Sequence, residues 1–353
     1  MPRARSTDSI ARARMVGLEL WSVPRSDPAA TVRHLVAMQA QEHGYARWSV
    51  GQRTGAGATA VDAAFDAGAI LRTHVLRPTW HYVVPDDLRW LLALTGPRID
   101  AAAARRYEEL SLDVRTRRRA DDVIAAAVAA GPQTRHQLAA ALQARGIGTD
   151  GQRLPHLLIS AELHAVVCSG PMQGKQHTYA AFDDRVPAIA TPTGDDALAE
   201  LARRWFATRG PATVRDFMWW SGLRAADARR ALALVERELE SYEHDGRTLW
   251  FAEWRRTARS PRVDLVQCYD EVIISFTESR DVLATGEVAF PVPGSVDGFA
   301  HVLLLDGRLL GHWRARKTAD GAVAETHLAR PIDDRERAVL DAAVERYDSF
   351  TRT

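Results

Sequence analysis

The sequence predicts an α+β protein in which a helical unit ending in a β-hairpin occurs three times, ahead of a β-rich C-terminal part. The tetrapeptide GP-x-T occurs at residues 131–134 and 210–213, each time between two helices with apolar periodicity and ahead of a hairpin. From about residue 263 the helical pattern gives way to short runs rich in β-branched residues, with a hairpin turn at Asp306-Gly307. Repetition and this change of pattern together indicate the fold class.

In the first unit, helices are predicted over residues 9–21, 27–38, 45–52 and 59–67, followed by strands over 70–76 and 79–84. Asp27-Pro28 is typical of a helix start, because the carboxylate caps free amides and proline is tolerated at the first helical position. Helices followed by a hairpin are the order of elements in a winged helix.

The two GP-x-T repeats predict the same order again. Hairpin strands are expected over residues 164–168 and 177–181 in one repeat, and over 239–243 and 248–252 in the other. The full prediction is three tandem winged-helix units at residues 1–96, 120–182 and 195–254, a helical connector at 97–119 and a barrel-like β-rich domain at 255–353. Within that last domain the predicted strands are 264–268, 282–283, 288–290, 300–305, 308–313 and 322–328, followed by a helix over 334–347.

The most unusual local feature is Gln39-Ala40-Gln41. Val32 and Leu35 lie on the apolar stripe of the second helix, and the next position on that stripe is Gln39. Two residues apart on a helix point about 200° from each other. Gln39 and Gln41 can therefore act together only if the helix ends near residues 38–40 and the chain becomes extended. The alternative is a glutamine bonded to backbone at a helix end, beside a solvated one.

Composition limits the class of protein without naming a function. Of the 353 residues, 46% are hydrophobic and 26% charged, which excludes a disordered chain. The formal net charge is only +1, so overall charge does not indicate nucleic-acid binding. With no long apolar run and no signal-peptide core, we expect a soluble cytoplasmic protein. Cys168 and Cys268 lack metal-binding or disulfide spacing, so no metal or cofactor is predicted.

These residues, in this order, resemble the winged-helix DNA glycosylases of the AlkZ/YcaQ type, the HTH_42 family, over nearly the whole chain. The resemblance rests on Gln39-Ala40-Gln41, on the segment LRTHVLRPTWH at 71–81 and on the GP-x-T helix starts. It rests also on Tyr269-Asp270-Glu271 followed by Arg280, and on the segment 306–314.

The resemblance implies an enzyme with a concave DNA cleft that hydrolyses the N-glycosidic bond of N7-alkylated guanine or adenine. Some family members unhook interstrand crosslinks as self-resistance in producers of alkylating natural products. The family's two catalytic glutamines carry over onto Gln39 and Gln41. The general repair branch has aspartate at the second position, so Gln41 places this chain nearer the self-resistance branch. We expect a monomer that acts on alkylated double-stranded DNA at the nucleoid without a cofactor.

The chemistry makes an amide pair intelligible. An N7-alkylpurine already carries positive charge, so it leaves without a general acid, and the barrier lies in an oxocarbenium-like sugar and a positioned water. Two carbonyl dipoles can stabilise that cation and hold the water. Glu42 and His43 are the conventional acid–base alternative, but adjacent positions point elsewhere, and we interpret both as surface or structural residues.

A lyase reaction would need an amine nucleophile. The candidates are Lys175 and Lys317, which are the only lysines, and Pro2 after removal of the initiator methionine. We interpret all three as solvated, and therefore expect the product to be an intact abasic site.

Basic side chains that could contact DNA occur in two places. Those on or beside the first predicted wing are Arg72, His74, Arg77 and His81. The alternative is that alternate members of this set face inward, and Trp80 is interpreted as a core residue rather than an intercalator. A second basic run, in the last predicted sheet, comprises Arg314, Arg316 and Lys317, with a solvated strand end as its alternative. We expect the two glutamines to project into one cleft lined by the basic residues of the first wing.

Two other classes of protein fit the same pattern of elements. Tandem winged helices could form a transcriptional regulator or other DNA reader that performs no chemistry. An architectural protein, or one that sequesters the alkylating agent itself, is the second possibility. Only the glutamine pair favours the enzyme, because a reader has no need for two amides away from a recognition helix.

Overall fold

The computed structural model describes residues 6–22, 24, 27–255, 261–285 and 300–352. The chain divides into two compact units: a terminal unit of residues 1–62 and 199–353, and a middle unit of residues 63–198. No described helix has both the length and the apolar composition needed to cross a membrane.

The N-terminal part of the terminal unit consists of α1 (Thr7–Gly17), α2 (Pro28–Leu35), β1 (Ala37–Gln39), α3 (His43–Thr54) and α4 (Ala58–Asp66), which leads into the middle unit. The side chain of Asp27 accepts a hydrogen bond from the Ala29 amide at 2.9 Å, and Pro28 opens the helix. The helix start predicted at Asp27-Pro28 is therefore confirmed. The helix ends three residues earlier than predicted, and an extended segment takes its place.

The middle unit begins with the hairpin of β2 (Leu71–His74) and β3 (Trp80–Val83), which pair antiparallel. It continues with α5 (Pro85–Ala102), α6 (Ala104–Glu109), α7 (Val114–Val128), β4 (Gln133–Thr134), α8 (Arg135–Ala144), α9 (Arg153–Leu163), β5 (Val167–Ser169), β6 (Thr178–Ala181) and α10 (Phe182–Arg185). Strands β4, β6 and β5 form one antiparallel sheet in that order. Thr134 and Gln137 close a capping box at the start of α8, as the first GP-x-T predicts.

The helical connector was predicted to begin at Pro97, but Pro97 lies inside α5. The predicted boundaries at 96–97 and 119–120 therefore both fall within helices, α5 and α7. Tyr107 and Leu112, from the predicted connector, share one apolar cluster with Ile124, Leu142 and Leu157 of the predicted second unit.

The chain returns to the terminal unit through α11 (Gly194–Arg209), followed by α12 (Val214–Ser221), α13 (Ala225–Val235), a 3₁₀ turn (Glu236–Glu238), β7 (Glu240–His244) and β8 (Arg247–Phe251). Thr213 caps α12 in a second capping box, with Asp216 as its partner. Asp245 and Gly246 both have positive φ, 49° and 72°, in the two-residue turn between β7 and β8. The second GP-x-T helix and its hairpin are thus as predicted.

The C-terminal part contains β9 (Val263–Val266), α14 (Glu271–Ile274), a second 3₁₀ turn (Arg280–Leu283), β10 (Val302–Leu305), β11 (Arg308–Thr318), β12 (Gly321–Leu328) and α15 (Asp334–Arg352). The four strands form an antiparallel sheet in the order β12-β11-β10-β9. This sheet is open among the described residues, so the barrel-like expectation is not confirmed. Residues 282–283 form a helical turn instead of the predicted strand, and the strand predicted at 288–290 lies outside the described residues.

Three tryptophan side chains donate hydrogen bonds to strand β9, which lies at one edge of that sheet. The indole N–H of Trp48 donates to the carbonyl of Leu265 at 2.8 Å, and that of Trp313 donates to the carbonyl of Val266 at 3.1 Å. The indole of Trp21 donates to the carboxylate of Asp264 at 2.8 Å. Backbone acceptors on an edge strand would otherwise be open to another chain.

A fully buried ion pair joins α3 to the start of α14. The guanidinium of Arg53 donates two hydrogen bonds to the carboxylate of Asp270, at 2.7 and 2.8 Å, and both side chains are 0% exposed. Arg53 also donates to the carbonyls of Leu18 and Ser49, each at 2.7 Å. Burial alone would raise the pKa of Asp270, but the charge and hydrogen bonds of Arg53 outweigh it and hold the pKa below its usual value.

We expect Asp270→Asn to lower the free energy of unfolding by about 3–5 kcal/mol, because it leaves Arg53 charged and buried without its partner. The carboxylate's contribution is present above its unfolded pKa of about 3.9 and is lost as the pH falls through the lower folded-state pKa. Urea unfolding measured from pH 3 to pH 7 checks both points. Asp320→Asn, at an exposed position, is the matched control, and equal effects of the two substitutions would contradict the assignment.

Candidate catalytic site

The glutamine motif lies where helix α2 stops and the chain becomes extended. Val36, directly after the helix, has φ 65° and ψ −54°, a conformation that is rare and strained for a β-branched residue. Ala37–Gln39 then form β1. The helix therefore ends before the motif, and the chain is extended as far as Gln39, whereas Gln41 lies in a bend after β1. Strain of this kind persists only where the surroundings impose it.

The two glutamines have different surroundings. Gln39 is 7% exposed, the following Ala40 is fully buried, and Gln41 is exposed. In an extended chain, residues two apart project on the same side. That both side chains enter one cleft remains a prediction.

A buried ion pair holds the backbone of β1. The carboxylate of Glu271 accepts the backbone N–H of Gln39 at 2.9 Å, and the guanidinium of Arg209 donates to the backbone carbonyl of Ala37 at 3.1 Å. Arg209 and Glu271 bond to each other at 2.7 Å, and both side chains are 0% exposed. The C=O of one residue and the N–H of the second residue after it lie on the same edge of a strand. The pair therefore occupies one edge of β1 as a neighbouring strand would.

Glu271 is bound from several directions within the terminal unit. Its second oxygen accepts the indole N–H of Trp220 and the hydroxyl of Ser275, each at 2.7 Å, in addition to Arg209. Arg209 lies over the Trp220 ring, with its guanidinium carbon 4.4 Å from the ring centroid. Burial lowers the pKa of Arg209, and the charge of Glu271 opposes this effect. A buried carboxylate that accepts this many hydrogen bonds is held in one position, and it therefore also holds the backbone N–H of Gln39 in place.

These contacts give physical roles to the Tyr269-Asp270-Glu271 motif and to Arg280. Asp270 caps α14 through the Val272 amide at 3.0 Å, besides pairing with Arg53. Arg280 donates to the carbonyls of Ile273 and Phe276, which closes the loop after α14. The sequence identified the motif but not its partner: Glu271 lies 232 positions from Gln39. The only available signal was three consecutive polar residues between two apolar runs.

The basic residues predicted on the first wing are mostly buried. Arg72 is 8% exposed and lies over the Trp80 ring, with its guanidinium carbon 4.2 Å from the centroid. His74 is 4% exposed and its ring bonds to Glu162, whereas His81 is 0% exposed and its Nδ1 lies 2.9 Å from the Thr79 carbonyl oxygen. Of the four predicted contacts, Arg77 alone is partly exposed. Contact between phosphate and the other three would require this hairpin to rearrange, and DNA contact by this set stays a prediction.

The second predicted basic group lies toward the turn of the β11–β12 hairpin. Arg314 and Arg316 share one carboxylate across the strands: their Nε atoms donate to the two oxygens of Glu325 at 2.9 and 2.6 Å. Their side chains are 70% and 59% exposed, and Lys317 beside them is exposed as well. Three cations and one carboxylate therefore face solvent on one short ribbon.

The remaining candidates occupy varied positions. Glu42 is exposed at the residue before α3, and His43 is half-buried at its first position. Lys175 is exposed in the turn between β5 and β6, and Pro2 lies outside the described residues. Cys168 and Cys268 are buried free thiols, and burial raises the pKa of each to about 12.

Comparison with known proteins identifies the class of protein as the DNA glycosylases. The chain belongs to the family of AlkZ-like DNA glycosylases, whose model matches residues 32–350. The solved structure of the Streptomyces sahachiroi DNA glycosylase AlkZ is similar in fold, with a TM-score of 0.73 and 19% identity, covering 98% of this chain and 96% of that one. No curated protein sequence matches the chain.

We expect Glu271→Gln to lower the free energy of unfolding by about 3–5 kcal/mol, because Arg209 would remain charged and buried without the carboxylate it pairs with. It should also speed hydrogen exchange at the Gln39 amide, measured by NMR. Glu278→Gln is the control: its partner Arg215 is 70% exposed, so the change should cost about 1 kcal/mol or less. Unchanged protection of the Gln39 amide in a destabilised Glu271→Gln protein would show that the carboxylate does not hold this strand.

Proposed function

We propose that the chain is a monofunctional DNA glycosylase that hydrolyses the N-glycosidic bond of N7-alkylated purines, with Gln39 and Gln41 as its catalytic residues. The observation that carries the proposal is the ion pair of Arg209 and Glu271, which fixes the backbone on both sides of Met38. A dipole stabilises a transition state best when its position is set before the reaction begins. Membership of the AlkZ-like family supplies the reaction class.

The proposed roles follow from the charge of the reaction. The alkylated base leaves as a neutral purine, so the protein has only to stabilise the developing positive charge on the sugar and to position a water. Side-chain carbonyl oxygens of Gln39 and Gln41 would do both, and neither amide titrates near neutral pH. We extend the proposal to the unhooking of interstrand crosslinks, because glutamine rather than aspartate at position 41 makes the chain resemble the self-resistance branch.

We also propose that the three repeats are winged helices that bind duplex DNA, and that the protein acts as a monomer on nucleoid DNA. The order of helices and hairpins supports the first point. The exposed cations Arg314, Arg316 and Lys317 on the β11–β12 ribbon supply charge for phosphate contacts.

One observation favours the alternative of a DNA-binding protein without catalysis. Gln39 is only 7% exposed, and buried amides usually serve structure. In that case base release would be absent although alkylated and unmodified DNA are both bound.

The direct test is release of free 7-methylguanine from a duplex that contains it, measured by mass spectrometry of the supernatant. We expect the strand to remain whole until alkali or heat cleaves the abasic site, because no described lysine lies at the glutamine motif. We also expect a rate that is flat from about pH 5.5 to 8.5, whereas catalysis by His43 would change the rate near its ordinary pKa of about 6.5. Borohydride trapping of a protein–DNA adduct would replace hydrolysis by a lyase mechanism.

Substitution of the glutamines should affect the chemical step. We expect Gln39→Ala or Gln41→Ala to lower the single-turnover rate by about 10²–10³, the usual effect of removing one preorganised dipole, with DNA affinity little changed. Gln52→Ala, a half-buried glutamine of α3, is the control. Wild-type rates for both motif variants on saturated substrate would make the non-catalytic DNA-binding protein the better account.

Substitution of the ribbon arginines should affect binding. Arg314→Ala and Arg316→Ala should each weaken DNA binding and reduce the slope of log K against log salt by about 0.9 per lost phosphate contact. Glu325→Gln removes the carboxylate that both arginines share, so it should strengthen binding. Arg105→Ala is the matched control, since this exposed arginine also pairs with one carboxylate, Glu109. Identical salt slopes for all four proteins would exclude the ribbon from the DNA interface.

A further inference from the structure

The middle unit contains a partly enclosed cavity of about 360 Å³. This volume lies within the range of about 300–1,000 Å³ found for small-ligand sites. The hairpin of β2 and β3 contributes Arg72 and Trp80 to its wall, and helix α9 contributes Glu162. Strand β5 ends at the cavity with Ser169, and His177 and Tyr179 lie on or before β6.

Glu162 is a buried carboxylate whose two oxygens differ in their hydrogen bonding. Its side chain is 0% exposed, and one oxygen bonds to the ring of His74. The other oxygen, Oε1, accepts no hydrogen bond within the described ranges 6–22, 24, 27–255, 261–285 and 300–352. Leaving a buried charged acceptor unpaired costs more than a hydrogen bond returns. A ligand that places an N–H at this wall would remove that cost.

The wall beside Glu162 carries hydrogen-bond donors and flat surfaces. The Arg72 guanidinium is held over Trp80, and the Ser169 hydroxyl oxygen accepts the Arg72 backbone N–H at 2.8 Å, so its own hydrogen points elsewhere. Burial lowers the pKa of His177 to about 4, and the charge of Arg72 adds to this effect. Its ring is therefore neutral at pH 7, able both to donate and to accept. Tyr179 adds a second aromatic side chain, 8% exposed.

A ligand for this cavity must be planar, must donate an N–H to a carboxylate and must accept a hydrogen bond beside that N–H. A guanine-type purine meets all three conditions, because its edge presents N1–H and the 2-amino group next to the O6 acceptor. Adenine instead presents an unprotonated N1, which a carboxylate repels. Alkylation at N7 leaves the N1–H, 2-amino and O6 groups of guanine in place, and its positive charge makes N1–H a stronger donor to a carboxylate.

We propose that this cavity binds a guanine-type base, with Glu162 accepting hydrogen bonds from its N1–H edge and the Arg72 side of the wall facing O6. The inference rests on the proposed function, since the base it selects is one whose N7-alkylated form the enzyme would release. Bases taken out of the DNA stack are commonly read on this edge by hydrogen bonds and by stacking. A base still attached to DNA and a free nucleoside offer the same edge, so either can be the source.

The test is isothermal titration of the full chain with deoxyguanosine, deoxyinosine and deoxyadenosine. We expect deoxyguanosine to bind at least about tenfold more tightly than deoxyadenosine, with deoxyinosine, which keeps N1–H but lacks the amino group, in between. Glu162→Gln should remove most of this preference. Asp121→Asn is the matched control, because Asp121 also pairs with a histidine, His164, in the same unit but outside the cavity wall.

A second variant covers the case in which Glu162→Gln does not fold. Gln176 is an exposed residue on the cavity wall, so Gln176→Trp should obstruct the cavity without disturbing the core, and it should abolish nucleoside binding. Equal affinity for the three nucleosides, no binding by the unaltered protein, or full binding by Gln176→Trp would each overturn the proposal.

The two sources of the base are separated with duplexes. If the base comes from DNA, Glu162→Gln should weaken binding to a duplex with a 7-methylguanine more than binding to an unmodified duplex. If only free nucleoside enters, both duplexes should bind Glu162→Gln as they bind the unaltered protein; either result supports the guanine site. Nucleoside binding without release of 7-methylguanine would instead refute the proposed function and leave this inference standing.

Discussion

The hydrogen bond from the Gln39 backbone amide to Glu271 joins strand β1 to a fully buried carboxylate in the core of the terminal unit. A carboxylate that is 0% exposed is tolerated only when its lone pairs are satisfied, and one of the donors is the backbone of β1 itself. The strand therefore completes the ion pair while the ion pair fixes the strand. Stability of the core and geometry of the candidate site depend on the same contact.

Asp270, the neighbour of Glu271, likewise joins a second element, α3, through a buried ion pair. Asp270 and Glu271 are consecutive, so their side chains point in different directions, one to Arg53 of α3 and the other to Arg209 at the end of α11. Short helix α14 thus joins segments that precede the middle unit in sequence to a segment that follows it. Both carboxylates of the motif thus have structural partners in the core of the terminal unit.

Local chemistry in the sequence predicted local structure well. Asp27-Pro28, the two GP-x-T starts and Asp306-Gly307 correctly predicted helix starts and a hairpin turn, because each acts on its own backbone. The open sheet and the partner of Glu271 were not predictable, since both depend on pairings between residues far apart in sequence. Burial was misjudged in β2, where Leu71–His74 are all buried although three of the four residues are polar. Polar residues of a strand face solvent only when nothing covers them.

The difference in burial between the two glutamines bears on which substitutions the motif tolerates. A carboxylate at position 39 would lie at a residue that is 7% exposed and whose own amide is bonded to Glu271, so its charge would be poorly solvated and repelled. Position 41 is exposed, where water screens an added charge. This asymmetry agrees with the resemblance described above, in which the general repair branch has aspartate at the second position. A neutral side chain at position 39 therefore avoids a poorly solvated charge, whereas a charge at position 41 would be solvated.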